Sequence, residues 1–182
     1  MPQDSKQTNV IIILADDMGY GDVSGLNPDA AFHTPNLDRM IHDGLHFKDA
    51  HTSSAVCTPS RYSLLTGRYC WRTYLKKGVL SGIGGPLIEP ERETLATVAK
   101  RAGYDTACIG KWHVGWNWAV KPGNEDRVDR SSWDGDSIDW IDYSAPIQNG
   151  PTTIGFDHFY GISGSLDMPP YVYVEDDLAV EE

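Results

Sequence analysis

Two kinds of apolar pattern alternate along the chain and predict its elements. The run Asn9–Ala15 (NVIIILA) is almost wholly apolar and rich in β-branched residues, which is typical of a strand buried on both faces of a parallel sheet. Tyr104–Ile109 predicts a second buried strand, and Leu45–Ala50 predicts a short one.

The helical signals lie between these runs. Thr34 and Pro35 predict the start of a helix that ends at Gly44, because a threonine caps well and a proline suits the first turn. Pro59–Thr66 predicts a second helix, and Thr94–Ala102 a third, with apolar residues at helical spacing. Strands that alternate with helices predict an α/β fold with a largely parallel sheet flanked by helices.

The two longer strands are each followed by polar residues that can carry chemistry. Asp16 and Asp17 follow the first strand, while Lys111 and His113 follow the second. Ligand sites of open α/β sheets lie beyond the carboxyl ends of the strands. We therefore expect these four side chains to converge on one site.

The segment Trp116–Thr153 has no sustained period and predicts a long surface excursion, of the kind that is often functional. Its tryptophans and aspartates suggest either a platform for sugar stacking or aromatic residues that pin the loop to the domain. The residues concerned are Trp116, Trp118, Trp133, Trp140, Asp134, Asp136, Asp139 and Asp142.

Charge and cysteine content narrow the classes of function. The net charge of −11 argues against a nucleic-acid partner, so any anion site must be built locally from a metal or a few cations. The apolar run Val10–Ala15 is far shorter than the roughly 20 residues that span a bilayer, and no signal peptide is visible. Three cysteines are too few for a disulfide scaffold and leave at least one thiol unpaired.

The most specific motif starts at Cys57, where Pro59 follows two residues later and Arg61 four residues later. A helix that starts here offers its positive end to an anion, and Arg61 lies about one turn further along the same face. A phosphotyrosine-phosphatase loop needs five residues between cysteine and arginine, whereas this chain has three. A buried structural cysteine is the simpler reading of Cys57 alone.

This motif, completed by Thr66, Gly67 and Arg68, resembles the signature of the formylglycine-dependent sulfatases. The resemblance implies an alkaline-phosphatase-like fold and oxidation of Cys57 to formylglycine by a maturation enzyme. It also implies that a hydroxyl of the hydrated aldehyde attacks sulfur, and that the other expels sulfate.

Two further blocks are similar to the same family. Asp16 and Asp17 resemble its first metal-binding block, which implies that they bind Ca²⁺, with Mg²⁺ as the alternative ion, together with an oxygen of residue 57. The block at Lys111 and His113 (GKWHVG) implies that Lys111 contacts sulfate and that His113 helps expel it from residue 57.

The resemblance runs from Asn9 to about Pro170. Residues 1–8 are then expected to be a disordered tail, and residues 9–182 the N-terminal part of a sulfatase catalytic domain, incomplete at its C-terminus. The family's later Asp-Asn metal pair, second lysine and second histidine cannot be placed here. The position of a substrate-contacting histidine in some arylsulfatases corresponds to Leu166. We therefore expect the chain alone to be a poor catalyst.

The family resemblance further implies a sulfated carbohydrate or aryl sulfate as substrate, and a periplasmic or secreted location. Two alternatives stay open from the sequence. One is a phosphonate or phosphate-ester hydrolase of the same superfamily, which shares the motif at Cys57. The other is a non-catalytic, carbohydrate-binding remnant.

Overall fold

The structure is a computed structural model that describes residues 7–127 and 138–180. The chain forms two compact units, Met1–His51 and Thr52–Glu182. The predicted tail falls largely on residues 1–6, outside the described part of the chain. Within the described part, no helix is both long and apolar enough to cross a membrane.

The first unit contains helix α1, Pro35–Asp43, with Thr34 before it and Gly44 after it as predicted. The carboxylate of Asp38 organises the preceding loop by accepting hydrogen bonds from the hydroxyls of Ser24 (2.6 Å) and Thr34 (2.7 Å) and from a backbone N–H. These hydrogen bonds hold the pKa of Asp38 below its ordinary value. The Thr34 hydroxyl thus donates to Asp38, and the Thr34 side chain makes no capping hydrogen bond to the helix backbone.

Two strands predicted in the first unit are absent from its described residues. Asn9–Ala15 forms no strand and is exposed throughout, with Ile11 84% exposed, and Leu45–Ala50 is also non-regular. A strand is stabilised by pairing with a neighbour, and residues 7–51 contain no strand that could pair with this run. The apolar residues of Asn9–Ala15 would be stabilised by burial, but in this unit they remain exposed.

The second unit begins with two helices whose ends the sequence predicted closely. Helix α2, Cys57–Thr66, ends at Gly67 in the left-handed conformation, and it starts two residues before the predicted Pro59. Helix α3, Leu95–Arg101, is capped by Thr94 and Thr97, which bond each other's backbone N–H. Short 3₁₀ helices cover Cys70–Arg72, Glu125–Arg127 and Pro151–Ile154. The predicted apolar stripe of α3 is wrong in detail, because Ala96 is its buried residue while Leu95 and Val98 are exposed.

The sheet is mixed rather than largely parallel. Among the described residues its strands lie in the order β1 (Ala107–Lys111), β2 (His158–Ile162), β3 (Val174–Glu175) and β4 (Leu178–Ala179). Of these, β1 and β2 run parallel, while β3 is antiparallel to both β2 and β4. The predicted α/β class is confirmed. The predicted second strand starts later, at Ala107, and is only partly buried.

The core of the second unit contradicts the predicted surface excursion. Trp116, Trp118 and Trp140 are buried, and the Trp116 ring packs edge-to-face against Trp118 and Phe159 at centroid distances of 5.2 and 5.8 Å. The indole N–H of Trp118 donates to the carbonyl of Gly82 (3.0 Å). Packing of its buried aromatic rings fixes this segment against the core. The segment has no regular spacing of apolar residues, so its sequence pattern did not predict this burial.

One carboxylate joins helix α3 to the two parallel strands. Asp157, just before β2, forms a 2.7 Å ion pair with Lys100 of α3 and accepts from the N–H and hydroxyl of Thr106 (both 2.9 Å), just before β1. These bonds lower the pKa of Asp157 from 3.8 to about 2, with the hydrogen bond from Lys100 as the largest cause.

We predict that Asp157→Asn destabilises the second unit in a pH-dependent way. The pKa of Asp157 is lower in the folded state, so its stabilisation is fully present above the unfolded pKa and is lost as pH falls from about 4 towards about 2. Urea denaturation of both proteins at several pH values should show a difference at neutral pH that shrinks over this interval. An equal difference at all pH values, or an equal loss in the exposed control Asp167→Asn, would contradict this assignment.

Candidate active site

Helix α2 places Cys57 at its first helical residue. Val56 is the N-cap, with extended backbone, and the free thiol of Cys57 is half-buried. The first N–H groups of a helix have no acceptor within the helix, and they form the positive end of its dipole. The side chain at position 57 therefore lies where a negatively charged oxygen is favoured.

Arg61 connects this helix to the end of the first strand. Its guanidinium Nη1 donates to the backbone carbonyl of Lys111, the last residue of β1. The same cation lies near Cys108, where burial raises the pKa of the thiol to about 11 and Arg61 opposes the shift. Cys108 is thus protonated at neutral pH and poorly suited to be a nucleophile.

Lys111 is the last residue of β1, so the strand extends two residues beyond the predicted end at Ile109. Its ammonium Nζ donates to the hydroxyl of Ser165 (3.2 Å). Ser165 follows β2, which runs parallel to β1, so the two residues share one edge of the sheet. Sequence reasoning missed Ser165 and considered only its neighbour Leu166, whose side chain is exposed.

His113 is fully buried and continues the pairing beyond β1. Its backbone adopts a positive φ of 55°, and its N–H donates to the carbonyl of Ser163 (3.0 Å). The ring Nε2 lies 2.8 Å from the carbonyl oxygen of Leu80. A carbonyl can only accept, so Nε2 carries the proton.

Leu80 joins His113 to the start of helix α2 through its backbone. Its carbonyl accepts from His113, and its N–H donates to the hydroxyl of the buried Thr58 (3.1 Å), which follows Cys57 in the chain. Two independent links, Arg61 to Lys111 and Thr58 through Leu80 to His113, thus bring the motif at residues 57–61 to the motif at residues 111–113. No sequence pattern pointed to Leu80, because its backbone makes both bonds.

The predicted metal ligands Asp16 and Asp17 lie in the first unit, and both are exposed. Asp17 adopts a positive φ of 61°, which is uncommon outside glycine. Carboxylate oxygens suit Ca²⁺ in chemistry. However, among the residues that the structure describes, no group of three His, Cys, Asp or Glu side chains is arranged to hold an ion. The two carboxylates are thus of the chemical type that binds a hard cation, but in the described part of the chain they lack the further ligands that a cation site needs.

The predicted sugar platform is wrong for three of its four tryptophans. Trp116, Trp118 and Trp140 are at most 7% exposed and cannot offer a ring face to a ligand. Their burial supports the alternative reading, in which they pin the loop to the domain. Trp133, Asp134 and Asp136 lie outside the described residues.

Comparison with known proteins gives this site a context. The Sulfatase family profile matches residues 8–178. The N-acetylgalactosamine-6-O-sulfatase of Bacteroides thetaiotaomicron is 35% identical over 174 residues, which cover 96% of this chain and 30% of that protein. Arylsulfatase G of Rattus norvegicus is 38% identical over 162 residues, which cover 88% of this chain and 24% of that protein.

Solved structures agree with these similarities. One, described as concerned with the metabolism of multiple glycosaminoglycans by Bacteroides thetaiotaomicron, is 34% identical, with a TM-score of 0.73 over 91% of this chain and 30% of the other. The sulfatase PsFucS1 from Pseudoalteromonas sp. is 28% identical, with a TM-score of 0.56 over 85% of this chain and 25% of the other.

The chain belongs to the sulfatase family. It spans about 30% of the length of the Bacteroides relative and about a quarter of arylsulfatase G. The fold class inferred from the sequence is confirmed by these structural neighbours.

We predict that Thr58→Val lowers the free energy of unfolding of the second unit by about 1 to 3 kcal/mol, because the buried N–H of Leu80 loses its acceptor. Thr58→Ser keeps a hydroxyl at the same position and should retain most of the stability. Chemical denaturation measures both. If Thr58→Val unfolds at the same denaturant concentration as the unchanged chain, the link through Leu80 carries no stability and the assignment fails.

Proposed function

We propose that this chain is the nucleophile-bearing part of a sulfatase that hydrolyses sulfate esters of carbohydrates. The observation that carries the proposal is the hydrogen bond from Arg61 to the carbonyl of Lys111, because it joins the two motifs expected to bind sulfate. Family membership supports the same reading.

Cys57 is the precursor of the nucleophile in this proposal, and a maturation enzyme oxidises it to formylglycine. The hydrated aldehyde supplies the oxygen that attacks sulfur. The start of helix α2 favours negative charge at this position, and Arg61 adds a guanidinium about one turn away.

Lys111 and His113 then act on the transferred group. The ammonium of Lys111 neutralises the sulfate oxygens, and Ser165 holds that ammonium at the sheet edge. His113 assists the release of sulfate from residue 57, and its bond to Leu80 fixes the ring orientation. Asp16, Asp17 and the oxygen of residue 57 would hold Ca²⁺, or Mg²⁺ as the alternative, which would supply positive charge to the sulfate.

The names of the relatives favour a sulfated carbohydrate over a simple aryl sulfate. The Bacteroides relative is named for sulfate removal from N-acetylgalactosamine, and a solved structure similar to this chain is described in terms of glycosaminoglycan metabolism. The Bacteroides relative and arylsulfatase G are both named for sulfate esters and not for phosphate or phosphonate hydrolysis. Because of the family resemblance, we also propose a location outside the cytoplasm, either in the periplasm or secreted.

We predict that the chain, co-expressed with a maturation enzyme and supplied with excess Ca²⁺, releases sulfate slowly from a chondroitin 6-sulfate oligosaccharide. Lys111→Ala should lower the rate by about 10² to 10³, as expected for the loss of a preorganised charge-stabilising group. Cys57→Ala should abolish turnover, whereas Lys121→Ala, on an exposed lysine outside this site, should leave the rate unchanged.

Sulfate release and phosphate release from matched aryl esters separate the alternatives. Faster hydrolysis of the phosphate ester would favour a phosphate-ester hydrolase. Sulfate release that survives Cys57→Ala, or none from a chain shown to carry formylglycine at residue 57, would contradict the proposal.

A further inference from the structure

The segment from Thr52 to Ile88 differs in charge from the rest of the chain. It contains five cationic residues and no aspartate or glutamate, within a chain of net charge −11. Arg61 is used in the site described above, and Arg68 pairs with Glu89 at 3.0 Å. The remaining three cations, Arg72, Lys76 and Lys77, are exposed.

A cavity of about 160 Å³ opens beside this cationic segment. Val56 and Pro59, which flank Cys57 closely in the chain, contribute to its wall. Hydroxyl, aromatic and ammonium groups are among its other lining residues, which include Ser53, Ser54, Tyr69, Trp71, Lys76 and Lys77. The cavity thus combines hydroxyl groups, ring surfaces and ammonium groups next to the start of helix α2.

The aromatic rings at this cavity form an exposed stacked pair. The Tyr69 and Trp71 rings lie 5.7 Å apart at an interplanar angle of 16°, and both side chains are more than half exposed. The Arg72 guanidinium lies over the Trp71 ring, 5.5 Å from its centroid. Stacking of this kind holds the rings in a fixed orientation, so they can contact a ligand at small entropic cost.

Lys76 is fixed next to the same rings. Its ammonium Nζ donates to the backbone carbonyl of Trp71 (3.1 Å). An ammonium has three N–H donors, so others remain for an anionic group. Lys77 adds a second positive charge on the next residue.

We propose that Tyr69, Trp71, Lys76 and Lys77 form a subsite for a neighbouring sugar of an anionic glycan, whose sulfated residue lies at position 57. A pyranose ring packs on the exposed aromatic surface, and its sulfate or carboxylate pairs with the two ammonium groups. This inference rests on the proposed function, because the cavity borders the helix that carries Cys57. The chain's overall negative charge favours a short, locally charged glycan over nucleic acid, which needs cations along an extended track.

The test is calorimetric titration of the 182-residue chain with a chondroitin 6-sulfate tetrasaccharide at low ionic strength. Trp71→Ala should weaken binding about tenfold, and Lys76→Ala with Lys77→Ala about fivefold, with the lysine contribution lost at high salt. The chemically desulfated tetrasaccharide should bind more weakly to the unchanged chain. Circular dichroism checks that each variant is folded, and the lysine variant, which changes only exposed side chains, tests the subsite even if Trp71→Ala unfolds.

Matched controls come from the same chain. Tyr173 stacks on Tyr160 at 5.4 Å and 13°, and Tyr160 pairs with Glu175, so Tyr173→Ala removes an equally exposed stacked ring that lies beside a carboxylate. Lys48→Ala with Lys121→Ala removes the same charge elsewhere on the surface. Both controls should bind as the unchanged chain does.

The binding results are distinguishable from failure of the proposed function. If the unchanged chain, shown to carry formylglycine at residue 57, binds the tetrasaccharide but releases no sulfate, the hydrolase is refuted and the subsite is not. Absence of binding, equal weakening by the controls, or unchanged binding in the lysine variant would overturn the subsite. Tighter binding of a single-stranded oligonucleotide of equal charge would also overturn it.

Discussion

The close parallel pairing of β1 with β2 is the constraint on which the rest of the site depends. Next to its carboxyl end Gly110 faces Gly161, and a Cβ on Gly161 would overlap the carbonyl oxygen of Gly110, so no larger residue fits there without moving a strand. The pairing continues beyond the strands through the N–H of Trp112 and of His113. It therefore fixes Lys111 and His113 at one edge of the sheet, to which helix α2 is tied.

Electrostatics of the chain agree with this arrangement. A protein of net charge −11 repels sulfated ligands at long range, so recognition must depend on charges held at short range. The start of helix α2, Arg61 and Lys111 supply such charges, and the segment Thr52–Ile88 carries no carboxylate to offset them. The partly buried Cys108, whose thiol pKa is raised to about 11, adds no negative charge of its own.

The sequence predicted what local chemistry determines. Gly67 in its left-handed conformation ends α2 and the Thr94 cap starts α3, and both are local signals that the sequence itself contains. The run Asn9–Ala15 was misread because a strand needs a partner, and no local pattern says whether residues 7–51 supply one. Likewise, the burial of Trp116 and the two backbone hydrogen bonds of Leu80 depend on contacts between residues far apart in the chain. Neither the composition nor the spacing of apolar residues predicts such contacts.

The central claim is that residue 57 carries the nucleophile of a sulfatase, and its most direct test is mass analysis of the peptide that contains Cys57. The chain should be co-expressed with a formylglycine-generating enzyme and digested, with the peptides of Cys70 and Cys108 as internal references. The account predicts an aldehyde in place of the thiol at residue 57 and unmodified thiols at the other two. An unmodified thiol at residue 57, under conditions where a known sulfatase substrate is converted, would contradict it.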